Sequence, residues 1–113
     1  MPLDASSSPA NIVSTASGPD GQALHPNDPG AQTQLILERI DAALAKLGGS
    51  LKDVVETRIY VCDIAQWDAI GRAHGVVFAD IRPTTTMVEV SRLITPDLLV
   101  EISATAVVDT PST

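Results

Sequence analysis

One cysteine, one tryptophan, one tyrosine and one phenylalanine are all that 113 residues hold of those four types. The lone Cys62 excludes an internal disulfide, and with only His25 and His74 beside it no Cys/His metal cluster is expected. Aromatics at 3% leave too few rings to stack nucleobases, so the core must be built from Val, Ile, Leu and Ala. Basic residues are few as well. Seven Lys and Arg stand against 14 Asp and Glu, a formal net charge of −7. So acidic a chain repels phosphate backbones, which makes nucleic acid a poor ligand, and it has no basic patch for a membrane surface. No apolar run approaches the length of a membrane span, and MPLDASSSPAN has neither the basic nor the apolar region of a signal peptide. The simplest expectation is a cytoplasmic protein with no metal or other cofactor.

What is present is a globular composition: 44% hydrophobic and 19% charged residues, enough for one domain and one core. Residues 1–10, rich in Pro, Ser and Ala, read as a flexible lead-in, and residues 11–110 as the single domain. A short apolar stretch, Asn11-Ile12-Val13-Ser14, precedes the turn cluster Gly18-Pro19-Asp20-Gly21. Asp28 and Pro29 then supply an N-cap and a first helical residue. Ile36, Ile40, Ala43, Leu44 and Leu47 form one stripe of the helix they open, and Gly48-Gly49 ends it.

The stretch 54–62 alternates, with Val55, Thr57, Ile59 and Val61 on one face and Glu56, Arg58, Tyr60 and Cys62 on the other. Asp63 to Gln66 fits a capping box, and Ile64, Trp67, Ile70, His74, Val77 and Phe78 follow at helical spacing, with Trp67 as core. That helix stops before Pro83. Two further strands are TTTMVEV and LLVEISATAVV. The order β-α-β-α-β-β predicts an α+β protein, a sheet with both helices on one face. The reverse face would carry Thr85, Met87, Tyr60, Cys62, Leu99 and Val107 among polar residues. A half-apolar sheet face of that kind is an interaction surface, and packing of sheets in a homo-oligomer would cover it.

From Gln32 to Val108, the run AQTQLILERIDAALAKLGGSLKDVVETRIYVCDIAQWDAIGRAHGVVFADIRP, with PTTTMVEVSRL and LLVEISATAVV after it, resembles the Rid (YjgF-like) family of reactive-intermediate deaminases. The resemblance implies a chorismate-mutase-like fold, in which a mixed sheet with two helices assembles into a trimeric barrel with ligand clefts between neighbouring subunits. It implies hydrolysis of enamines or imines to a carbonyl compound and ammonia. In that pattern an arginine grips the substrate carboxylate, a glutamate on the last strand handles the water, and backbone groups near a cysteine two residues after the arginine complete the pocket.

Carried onto this chain, the glutamate is Glu101, the catalytic candidate. The arginine position holds Thr85 and the cysteine position Met87, and Val13-Ser14-Thr15 matches a Val-Ser-Gly stretch, so Thr85, Met87 and Ser14 are the substrate-binding candidates. A guanidinium clamps a carboxylate through two charged hydrogen bonds, whereas a threonine offers one neutral hydroxyl. No tyrosine precedes Val13, where the family has a Pro-Tyr-Ser-like stretch. The resemblance therefore implies a homotrimer that binds a small metabolite, with water attack assisted by Glu101. The alternative is a non-catalytic metabolite-binding or regulatory trimer that keeps the scaffold without the arginine. Among the remaining polar residues, Glu89 shares the alternation of Met87 and Thr85 and reads as structural. His74 reads as a packed helix histidine, His25 as loop, and Cys62 as a small buried hydrophobe.

Overall fold

Asp28 Oδ1 accepts from Ala31 N at 3.0 Å, and Pro29 stands in the first turn, where its missing N–H leaves no helical bond unmade. This start opens helix α1 (Pro29–Lys46). At its far end Gly48 takes a left-handed φ of 83°, and Gly49 N donates to Leu44 O at 2.8 Å. The computed structural model describes residues 7–109. They form strand β1 (Ser7–Thr15), α1, strand β2 (Val54–Val61), helix α2 (Trp67–Phe78), strand β3 (Thr84–Glu89) and strand β4 (Val100–Asp109). The expected order β-α-β-α-β-β is the one found.

The sheet order is β1-β4-β2-β3. Strand β4 pairs antiparallel with both β1 and β2, and β3 pairs parallel with β2. Parallel neighbours need a crossover, and α2 supplies it between β2 and β3. The core lies between sheet and helices. Ile36, Ile40 and Leu44 of α1 and Ile70 and Phe78 of α2 cover Ile59, Val61, Val100, Ile102 and Ala104 of the sheet. Aliphatic packing does what the few aromatics cannot. Among the described residues no helix is long and apolar enough to cross a membrane.

Four expectations change on folding. Strand β1 starts at Ser7, ahead of the apolar stretch that marks it, because its backbone pairs out to Asp109. The strict alternation of β2 breaks at a bulge between Val54 and Glu56, so Val54 takes the core position and Val55 stays 49% exposed. Trp67 is 59% exposed rather than core. A 3₁₀ turn at Ile64–Gln66 precedes α2, and at about three residues per turn it puts the spacing counted from Ile64 out of phase. Asp63 caps that turn, accepting from Ala65 N at 2.9 Å, while Gln66 makes no side-chain cap bond to α2. The buried stripe of α2 is Ile70, His74 and Phe78.

The glycines give a contrast that can be measured. A Cβ on Gly49 would stand 2.8 Å from Val108 Cγ2, whereas one on Gly75 in α2 meets nothing within 4 Å. Gly49→Ala is expected to destabilise by about 1–3 kcal/mol through overpacking. Gly75→Ala should stabilise by about 0.5–1 kcal/mol through helix propensity. Urea midpoints moving in the same direction for both would contradict the packing read here.

Candidate functional site

Register decides which face each candidate occupies. One row across the sheet runs Thr15, Glu101, Tyr60, Val88, and the next runs Val13, Ser103, Arg58, Thr86. These rows lie on the face away from the helices. The intervening rows are Ser14, Ile102, Ile59, Met87 and Ile12, Ala104, Thr57, Thr85, and they share the face of the buried Ile102, Ile59 and Ala104. Thr85 and Met87 therefore do not join Tyr60 on the reverse face, as the sequence led one to expect. The parallel pairing of β3 with β2 puts Thr85 opposite Thr57 and Met87 opposite Ile59, and Met87 packs against the core.

The four candidates thus divide. Ser14, Thr85 and Met87 lie on the helix side of the sheet and Glu101 on the other. Thr85 and Met87 belong to an edge strand, exposed except for Met87, whose outer side has no partner among the described residues. Around Glu101 the outer face is polar. Arg58 pairs with Glu56 and donates from Nη2 to Thr105 Oγ1 at 3.3 Å, and Thr105 Oγ1 donates to Asn11 Oδ1 at 2.7 Å. Beside them Ser103 Oγ is buried with no hydrogen-bond partner among the described residues.

Glu89 holds the structural role expected of it: Oε1 accepts from Ile64 N at 2.9 Å and ties β3 to the turn before α2. Cys62 is half-buried, and it lines a cleft of about 430 Å³ with Ser91, Arg92, Leu93, Ile94, Thr95 and Pro96. None of the four candidates lines that cleft.

Three positions went unnoticed in the sequence as organisers. Gln32 is fully buried; the two hydrogens of its Nε2 are shared among the carbonyls of Asp97 at 2.9 Å, Leu24 at 3.2 Å and His25 at 3.3 Å, and its Oε1 accepts from Leu99 N at 2.9 Å. Arg39 Nη1 donates to Thr15 O at 2.9 Å and Ser17 O at 2.7 Å, pinning the end of β1 to α1. Thr57, also fully buried, holds both His74 and Thr85. The available signal was a polar residue on a core-facing position of an alternating strand, with a histidine on the apolar stripe of the next helix. A polar side chain buried at such a position needs a hydrogen-bond partner inside the fold.

His74 packs its ring against Phe78 at 4.6 Å, and burial lowers its pKa below the ordinary imidazole value by penalising the charged form. A lowered folded pKa sets the sign. The contribution is complete above about 6.5 and is lost as the pH falls below it, because the unfolded chain takes up the proton first. His74→Gln is expected to flatten the fall of the urea midpoint as the pH drops below about 6.5; a slope equal to wild type would exclude this origin.

A mixed four-stranded sheet in the order β1-β4-β2-β3 with two helices on one face is the α+β architecture of the Rid fold. The endoribonuclease L-PSP family model matches residues 10–108, and the chain belongs to that family, the YjgF-like or Rid proteins. It is 38% identical over 87 residues to the 3-aminoacrylate deaminase RutC of Acinetobacter baylyi, a match covering 77% of this chain and 68% of that protein. A RutC family protein of Pyrococcus abyssi is 36% identical over 66% of this chain, and the match spans 58% of its length. Among solved structures, a Mycobacterium tuberculosis member of the YjgF/YER057c/UK114 family is 48% identical. It superposes with a TM-score of 0.74 over 84% of this chain and 74% of its own. The Rid protein YyfA of Yersinia pestis is 29% identical, with a TM-score of 0.78 over 92% and 82%.

Proposed function

We propose that the chain is a homotrimer that binds a small metabolite between subunits and hydrolyses an enamine or imine to a carbonyl compound and ammonia. The observation that carries the assembly is the division of the candidates between the two faces of one sheet. Glu101 and Thr85 can share a pocket only if the edge strand of one copy meets the outer face of another. The edge of β3, which has no partner among the described residues, and the exposed Val13 and Val88 on the outer face favour such a meeting. The likeness to a 3-aminoacrylate deaminase supports the reaction class.

In this reading the Glu101 carboxylate takes a proton from water as its oxygen attacks the imine carbon. Glu101 returns that proton to the nitrogen to give the carbinolamine, whose C–N bond breaks as its hydroxyl proton passes to the nitrogen, releasing ammonia and leaving the carbonyl. No group on the chain is oxidised or reduced. The net charge of −7 argues against RNA as substrate despite the family's description.

Thr85 in the arginine position favours a second reading, a trimer that binds a metabolite without turning it over. Turnover of freshly generated 3-aminoacrylate and 2-aminoacrylate separates the two, with the oligomeric mass measured by light scattering. Ammonia release above the uncatalysed rate, from a particle of three chains, is the expected result. A trimer that releases none but binds the carbonyl product saturably would establish the second reading. A monomer would overturn both.

A further inference from the structure

Thr57 has no exposed surface, so its hydroxyl depends on partners inside the protein. It has two: His74 Nε2 at 2.9 Å, from α2, and Thr85 Oγ1 at 3.0 Å, on the edge strand. Thr85 Oγ1 lies in turn 3.2 Å from the carbonyl of Pro83. When all three contacts are made as hydrogen bonds at once, one arrangement of the hydrogens satisfies them. A carbonyl oxygen only accepts, so the Thr85 hydrogen goes to Pro83 O. Having one hydrogen, Thr85 then meets Thr57 as an acceptor. Thr57 spends its own hydrogen there and meets His74 as an acceptor, which requires a hydrogen on Nε2. The run is one-way: His74 Nε2–H to Thr57, Thr57 to Thr85, Thr85 to Pro83. Burial lowers the His74 pKa, so the ring is neutral at pH 7, and with hydrogen on Nε2 its Nδ1 is bare.

Thr57 and His74 are buried, whereas Thr85 is exposed. Its hydroxyl hydrogen can turn about the Cβ–Oγ bond from Pro83 O to an incoming acceptor with no other atom moving. Each donor in the line polarises the next, so the last hydrogen is a better donor than that of an isolated hydroxyl. It still bears no formal charge. A carboxylate moved here from water would exchange its hydration for one neutral donor, in a chain of net charge −7. A carbonyl or amide oxygen has less hydration to lose.

We propose that Thr57 and His74 are positioning residues that make Thr85 a one-way hydrogen-bond donor and strengthen its bond to the oxygen of a small carbonyl compound, an uncharged one because the donor bears no charge to offset the hydration a carboxylate would lose. The proposal deepens the small-metabolite reading and rests on it for the location of the site.

Two measurements test it without any need for turnover. Long-range ¹H–¹⁵N spectra of protein labelled at histidine, with His74→Gln to assign the signals, should show Nε2 protonated and Nδ1 bare. The reverse tautomer would overturn the direction of the relay. Acetamide and acetate are then titrated while the Thr85 amide shift is followed. The expected result is acetamide binding about fivefold tighter than acetate in wild type, the scale of one hydrogen bond. Thr57→Val, which keeps the shape and cuts the relay, should weaken acetamide binding by about fivefold, and Thr57→Ser should restore it. Equal binding of the two probes in wild type, or an unchanged acetamide affinity in Thr57→Val, sinks the proposal. Absence of imine hydrolysis in wild type counts only against the reaction proposed above, because neither measurement requires it.

Discussion

Gln32→Leu lowers the unfolding free energy by about 3 kcal/mol or more, the expected effect of leaving at least two buried backbone groups without partners. The amide sits at 0% exposure, joining the loop before α1, through Leu24 O and His25 O, to the loop before β4, through Asp97 O and Leu99 N. Leucine fills the volume but offers none of those bonds. For a domain near 100 residues, such a change lowers Tm by about 12 °C or more. Gln34→Leu is the control, since Gln34 is exposed and its contact to Glu38 is 3.5 Å, so it should fall within about 0.5 kcal/mol of wild type. Differential scanning calorimetry of the pair decides it. If both variants melt within a few degrees of wild type, the loops are held by something other than this amide.

Glu101→Gln is the second large effect, on rate rather than stability. If Glu101 takes the proton from the attacking water, the amide removes general-base catalysis, and kcat falls by about 10²–10⁴-fold with the fold unchanged. Thr85→Arg in parallel reads the other half of the site. A guanidinium there supplies two charged donors, so the KM for a carboxylate-bearing imine should fall by about tenfold or more. The substitution also removes the hydroxyl that Thr57 contacts. Equal rates for wild type and Glu101→Gln would take the glutamate out of the mechanism. An inactive wild type together with an active Thr85→Arg would mean an intact scaffold serving a different ligand.

Local chemistry written into adjacent residues was legible before folding. The α1 cap at Asp28-Pro29, the stop at Gly48-Gly49, the alternation of β4 and the end of α2 before Pro83 all depend on short-range sterics and hydrogen bonds. The order of elements followed from them, and the motifs from Gln32 to Val108 pointed to the family. A capping residue or an apolar period acts within one or two turns of chain, so composition and spacing suffice to read it.

Faces and partners were settled only by assembly of the sheet. The bulge at Val54/Glu56 turned Val55 outward, and the 3₁₀ turn at Ile64–Gln66 turned Trp67 outward; each is a one-residue change of phase that composition does not mark. Pairing of β3 with β2 carried Thr85 and Met87 to the helix side, away from Glu101, because a strand's register is chosen by its neighbour and moving it by one residue exchanges its faces. Gln32 and Leu99 stand 67 positions apart, and Thr57, His74 and Thr85 lie on three different elements. Their bonds exist because the sheet and both helices close over one core, which excludes the water that would otherwise satisfy each of these groups singly.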